Sequence, residues 1–249
     1  MIDTLKKRFG LLGRNVSYSF SKGYFTEKFK NENLIGYTYE NFDLADISEF
    51  SEIIAHIAEI KGINVTIPYK EEVMPYLDSL SKKAAQIGAV NTIKITKKGK
   101  LKGYNTDYFG FKKSIQPLLQ PHHQKALILG TGGASKGIAF ALQELGISYV
   151  FVSRSAKEHT LAYTQLDAAT FNDYQIVINC TPIGTSPNIE ASPAIPYELF
   201  TDKHIAYDLI YNPEQTKFLQ QAKAKGATIK NGYDMLVLQA EKSWEIWNK

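Results

Sequence analysis

Two hydrophobic periods alternate along the chain. Residues 9–16 read as a strand, and residues 24–34 as a helix with Phe25 and Phe29 on one face. Asp46 predicts a helix N-cap with Glu49 at the capping-box position. Ile47, Phe50, Ile53, Ile54 and Ile57 then follow the 3.6-residue period, which assigns that face to the core. Residues 62–67 form a short strand ended by Pro68, which suits the first turn of a following helix. Residues 92–96 alternate apolar and polar, and 97–100, with Gly99, predict a hairpin turn. Beyond the loop 117–121 come four apolar strands, 125–129, 149–152, 175–179 and 204–209, with helical stretches between them. Strands separated by crossovers predict one parallel, doubly wound sheet. Residues 232–249 form one amphipathic helix carrying Met235, Leu236, Leu238, Trp244 and Trp247, free to close the second domain or return to the first.

At 249 residues the chain has room for one large domain or two modest ones. Its single cysteine, Cys180, excludes an internal disulfide framework and any multi-cysteine metal site, and fits a reducing compartment. Twenty-nine Lys and Arg against 25 Asp and Glu leave a net charge of +4, too small to argue for nucleic acid. Lys97, Lys98, Lys100 and Lys102 read as a solvated hairpin cluster. Neither a signal peptide nor a membrane-spanning apolar run is read from the sequence, so a cytoplasmic protein is expected.

The sequence GTGGASKG (130–137) stands where a buried strand turns into a helix. Gly130 permits the tight turn, and Gly132 lets backbone approach a pyrophosphate at the positive helix end, with Gly133 beside it. A strict G-x-G-x-x-G has glycine at 135, where this chain has Ser135. A P-loop is excluded, because Gly137 occupies the Ser/Thr position after Lys136. The next strand ends Val152-Ser153-Arg154-Ser155, with no acid until Glu158. An NAD site places an acid there for the ribose hydroxyl, whereas arginine flanked by hydroxyls suits a 2′-phosphate, so NADP is expected.

Carbonyl reduction on a nicotinamide needs a proton donor. None of the five histidines, His56, His122, His123, His159 and His204, sits in a motif, and each reads as a surface or packing residue. Tyr-x-x-x-Lys occurs at Tyr18/Lys22 and Tyr24/Lys28, but before the glycine loop, the wrong order for a short-chain dehydrogenase. Lys70, expected in the first turn of a helix, opposes the helix dipole there and carries a cost unless something needs it. Taken alone it is a solvated lysine. Asp107, an acid at an expected helix start, is its natural partner, although capping alone would explain it.

Seven segments now resemble one family: GINVTIPYKE (62–71), GAVNTI (88–93), GYNTDYFG (103–110), LGTGGASKG (129–137), INCTPIG (178–184), YDLIYNPEQTKFL (207–219) and NGYDMLVLQA (231–240). Their content and order are similar to shikimate dehydrogenases, across the whole chain. The resemblance implies an α/β protein with an N-terminal α/β substrate domain, 1–104 and 232–249, and a Rossmann-like doubly wound NADP domain, 105–231. It assigns the catalytic pair to Lys70 and Asp107. Ser19 and Ser21 would meet the substrate carboxylate, with Tyr211 nearby. Thr66, Asn91, Asp107 and Gln239 would hold ring hydroxyls, a task for groups that donate and accept. Gly130, Thr131, Gly132, Gly133 and Ala134, with Ser153, Arg154 and Ser155, would take the cofactor phosphates. Thr181, Leu209, Gly232 and Met235 complete the cofactor set, the last two bordering the nicotinamide. The family pattern has proline, histidine and proline where this chain has Asn15, Tyr18 and Lys22, and Lys22 could add attraction for the carboxylate.

The expected activity is therefore NADP-dependent, reversible reduction of 3-dehydroshikimate to shikimate by a monomer or homodimer without a metal, nucleic-acid or membrane partner. Two alternatives stand beside it: an NAD-using quinate/shikimate dehydrogenase, and a non-catalytic regulator that binds NADP and shikimate.

Overall fold

A computed structural model describes residues 7–17, 19–56 and 60–249. Tyr18 of the first Tyr-x-x-x-Lys pair and Ile57 of the apolar stripe lie outside the described residues. The chain divides into two compact units, one running to Thr106 and including Ala240–Lys249, the other Asp107–Gln239.

The first unit contains β1 (Lys7–Gly13), α1 (Phe20–Asn31), β2 (Tyr37–Asp43), α2 (Phe50–His56), β3 (Ile60–Val65), β4 (Ser79–Leu80), α3 (Lys82–Ile87), β5 (Thr92–Ile95) and β6 (Leu101–Tyr104). Its sheet runs β2-β1-β3-β5-β6-β4. β1 pairs parallel with β2 and β3, whereas the hairpin of β5 and β6 joins β3 antiparallel. Alternation along β1 sends Leu12 to a core with Phe42, Phe50, Ile63 and Ile93, and Phe9 and Leu11 to another with Phe25, Phe29 and Trp247. At Gly62 an added Cβ would stand 2.2 Å from Trp247 Nε1, which donates to Ile93 O at 3.0 Å. Glycine thus lets the terminal helical segment lie against the sheet.

Local chemistry moved several boundaries. α1 starts at Phe20, earlier than its apolar period, because Ser19 Oγ accepts from Ser21 N–H at 3.2 Å and caps it. The expected capping box forms at Asp46 and Glu49, but it opens a 3₁₀ turn, Ile47–Glu49, before α2. β2 escaped the sequence reading because its buried residues, Tyr39 and Phe42, are three apart and break the strand alternation. The helix expected after Pro68 is absent. Residues 67–73 are turns, followed by a 3₁₀ turn, Met74–Tyr76. Pro75 has no N–H for Glu71 O, so the i to i+4 bond from Val73 to Tyr69 is not propagated. Lys70 therefore faces no helix dipole, and the expected cost of a cation at a helix start does not arise there.

The second unit contains α4 (Asp107–Ile115), β7 (Lys125–Leu129), α5 (Gly133–Glu144), β8 (Ser148–Ser153), β9 (Thr160–Ala162), α6 (Ala168–Asp173), β10 (Ile176–Asn179), β11 (Ile205–Asp208), α7 (Lys217–Lys223), β12 (Thr228–Lys230) and the first part of α8 (Tyr233–Asn248). Among the described residues its sheet is fully parallel, in the order β12-β11-β10-β7-β8-β9. The four anticipated strands form the centre. β9 and β12, three residues each, were not anticipated and guard the edges. Ile128 and Ile178 face one core with Phe111, Ile138 and Tyr207, while Leu127, Leu129 and Val177 face the other with Phe171 and Phe218. Apolar faces on both sides make this a Rossmann-like doubly wound sheet, and strand order reverses between β7 and β10. Among the described residues no helix is long and apolar enough to cross a membrane.

Candidate functional site

In the first unit Thr66 directly follows β3 and Asn91 directly precedes β5, whereas Ser19 and Ser21 stand at the start of α1. Asn91, just before β5, is 3% exposed. Its Oδ1 accepts from Thr106 N–H at 2.6 Å and from Thr92 Oγ1 at 3.1 Å, and its Nδ2 donates to Thr106 Oγ1 at 2.9 Å. Asn64 Nδ2 donates to Ser243 Oγ at 3.0 Å and to Asn91 O at 3.2 Å, and Asn64 Oδ1 accepts from Tyr39 hydroxyl at 2.8 Å. Ser243 and Thr92 hydroxyls lie 2.8 Å apart. This network is neutral, buried and mutually satisfied, the condition under which buried polar groups stabilise a unique arrangement.

The network reaches Lys70 through the backbone, because Val90 N–H donates to Lys70 O at 2.7 Å. Thr66 is held by its N–H on Leu12 O at 2.8 Å and accepts from Tyr69 N–H at 3.0 Å. Ser21 is 9% exposed, whereas Ser19 opens onto a surface depression of about 610 Å³ that Lys22, Thr26 and Glu27 also line. The two serines therefore occupy different environments. Asp107 is joined to Thr106 by one peptide bond but opens α4 of the second unit, where a carboxylate is favoured by the helix dipole.

In the second unit four strand ends are tied in one row. Gly130 N–H donates to Val152 O at 2.8 Å, Cys180 N–H to Leu129 O at 2.9 Å, and Leu209 N–H to Asn179 O at 3.0 Å. Gly130 has a φ of +102°, and a Cβ there would meet Thr181 Cγ2 at 3.1 Å. At Gly132 a Cβ would meet nothing within 4 Å, so the approach to α5 is open. No side chain caps α5, leaving its first-turn N–H groups as an anion site. Ser135, standing in for the third glycine, is buried and donates to Gly132 O at 2.5 Å. Beyond β8, Ser153 Oγ closes a turn on Ser155 O at 2.6 Å, with Arg154 exposed between them. Open backbone, uncapped N–H groups and an exposed guanidinium fit a phosphorylated dinucleotide.

The opposite side of the row is built on close approach. A Cβ on Gly232 would stand 2.1 Å from Leu209 O, and Gly232 N–H donates to Ile210 O at 3.0 Å. Gly110, one turn after Asp107, has Met235 O 2.5 Å from its Cβ position, so α4 lies tightly on α8 beside Gln239. Gln239 donates to Leu236 O, Met235 is buried in the core at 7% exposure, and Tyr211 is half-buried. Sequence reasoning missed Asn64, Thr92, Thr106 and Ser243 in the first unit, and Asn179, Asp208 and Thr216 in the second. All but Ser243 lay inside the seven matching segments. Ser243 was signalled only as a polar residue between the buried Ala240 and Trp247.

The sequence profile of the shikimate dehydrogenase substrate-binding domain matches residues 11–93. A shikimate dehydrogenase (NADP(+)) of Clostridium botulinum is 39% identical over 96% of this chain and 95% of its own length. One from Caldanaerobacter subterraneus is 37% identical over 99% of this chain and 93% of its own. The crystal structure of shikimate 5-dehydrogenase from Thermus thermophilus, in complex with NADP(H) and shikimate, superposes with a TM-score of 0.85 at 32% identity, covering 97% of this chain and 93% of that one. With near-full-length identity of this order, the chain belongs to the shikimate dehydrogenase family of oxidoreductases.

Proposed function

We propose that this chain catalyses the reversible, NADP-dependent reduction of 3-dehydroshikimate to shikimate, with the first unit binding substrate and the second binding NADP. The observation that carries the reading is the row of strand ends in the second unit. It combines an open glycine turn with a Ser-Arg-Ser turn and no acid. The chemistry bound NADPH supplies is a hydride, delivered to the ring C3 carbonyl. Gly130, Thr131, Gly132, Gly133 and Ala134 receive the pyrophosphate and Ser153, Arg154 and Ser155 the 2′-phosphate side, while Thr181 and Leu209 complete the cofactor set and Gly232 and Met235 border the nicotinamide. An acid at the end of β8 would repel a 2′-phosphate, and none stands there.

On the substrate side, Lys70 and Asp107 form the catalytic pair. Lys70 stabilises the developing alkoxide with its ammonium and completes the alcohol through a proton relay, while Asp107 orients it. Its backbone bond from Val90 supports the role by holding the lysine's base rigidly beside Asn91. Ser19 and Ser21 take the carboxylate, with Tyr211 near it, and Thr66, Asn91, Asp107 and Gln239 take ring hydroxyls. The deciding assay follows cofactor reduction with shikimate and NADP+, beside quinate and NAD+. Fastest turnover is expected with shikimate and NADP+. Preference for quinate with NAD+ would move the chain to the alternative dehydrogenase, and binding of both ligands without turnover would make it a regulator.

A further inference from the structure

Asp208, at the end of β11, has no part in the chemistry above, yet it is fully buried. Its Oδ1 accepts from Ile210 N–H at 3.0 Å and from Asn179 Nδ2 at 3.1 Å, and its Oδ2 accepts from Thr216 Oγ1 at 2.6 Å. Asn179, equally buried, passes the order on. Its Oδ1 accepts from Thr181 N–H at 3.0 Å and from Thr181 Oγ1 at 2.6 Å, and its Nδ2 also reaches Ile183 O at 3.3 Å. On the other side, Ile210 O receives Gly232 N–H, and Leu209 O lies where Gly232 would carry a Cβ. One carboxylate thus ties together Thr181, Leu209 and Gly232, three residues that the reading above assigns to the cofactor.

We infer that Asp208 is a positioning residue for the nicotinamide side of the cofactor site, acting through Asn179 on Thr181 and through Ile210 on Gly232. The inference rests on the proposed NADP reading. A carboxylate suits the task because it only accepts, and all its partners here are donors. An asparagine would turn an NH2 group toward the Thr216 hydroxyl and loosen one corner of the frame. Burial pushes the Asp208 carboxyl up to about 6, so protonation below that pH also removes an acceptor. The groups facing it, Cys180 and Tyr197, are both pushed upward by burial, Tyr197 to about 12, and stay protonated from pH 5 to 8.

The test uses the full chain and Asp208→Asn, with NADP+ affinity measured by calorimetry from pH 5 to 8. Hydrogen exchange is followed at the amides of Thr181, Ile210 and Gly232. At pH 8 the variant should bind NADP+ about tenfold more weakly, one charge-assisted bond's worth, with the KM for shikimate unchanged. The ratio of the two affinities should fall toward one at pH 5, a comparison that cancels titration of the nucleotide's own phosphate. The three amides should exchange faster while those within β10 and β11 keep their protection, which separates a lost frame from a lost fold. Equal NADP+ binding by both proteins at pH 8, a ratio independent of pH, or protection lost evenly across the sheet would each overturn the inference. If the unmodified chain bound no NADP+, the proposed function would fall and this inference with it.

Discussion

The first unit surrounds Asn91 with neutral amides and hydroxyls that satisfy one another, whereas the second hangs its strand-end loops on a buried carboxylate. It also buries two histidines at the opposite end of its sheet, where Gln120 N–H donates to His123 Nδ1 at 2.9 Å and Thr201 N–H to His204 Nδ1 at 3.0 Å. A neutral network holds its geometry at any moderate pH. A frame of ionisable groups is only as constant as its protons. The two units should therefore answer differently to acid, and substitutions can test that contrast.

The largest effect is expected at Lys70, the charged residue whose backbone adjoins the neutral network of the first unit. Lys70→Ala should lower kcat by about 10²–10⁴-fold, and near-normal turnover with saturating shikimate would remove it from the mechanism. Next, Asn64→Leu leaves the Tyr39 hydroxyl without its carbonyl acceptor and should cost about 1–3 kcal/mol. Urea midpoints should fall by the same amount at pH 5.5 and pH 8; a loss that varied with pH would break the contrast. In the second unit, Arg154→Ala should raise the KM for NADP+ about tenfold, one charge-assisted contact at an exposed site. It should leave NAD+ kinetics unaltered, and a parallel loss for both cofactors would deny Arg154 its phosphate.

The smallest expected effect is on stability against pH. Burial lowers the pKa of His204 and His123, so their contribution is present above the unfolded-state value near 6.5 and is lost as pH falls from there through the lowered folded values. Asp208 has the opposite sign. Its raised folded pKa gives a contribution that is full below the unfolded value near 3.9 and lost as pH rises through about 6. His204→Asn should flatten the fall in melting temperature between pH 7.5 and 5.5, whereas Asp208→Asn should leave that fall in place. A fall unchanged by His204→Asn would clear the histidine of the acid response.

The central strands and the glycine turn were legible in the sequence because burial on two faces writes continuous apolar runs such as KALIL and IVIN. The edge strands were not, since three-residue segments half in solvent carry little pattern. Lys70 was found through a motif, but the helix invoked to explain it was wrong, because one later proline decided the local backbone. The hidden part of the site is its support. Asn64, Thr92, Thr106 and Ser243 look like ordinary polar residues until the fold closes them into one network. Their partners are as far away as the 179 residues between Asn64 and Ser243.

That separation bears on how the protein is made. The second unit is a continuous stretch, Asp107–Gln239, and holds every strand of its sheet within that stretch. The first unit, although its strands emerge earlier, lacks the hydroxyl of Ser243 and the indole that covers Gly62 until Trp247 has left the ribosome. The unit whose strands are made first thus waits for the second half of α8 before its core can close.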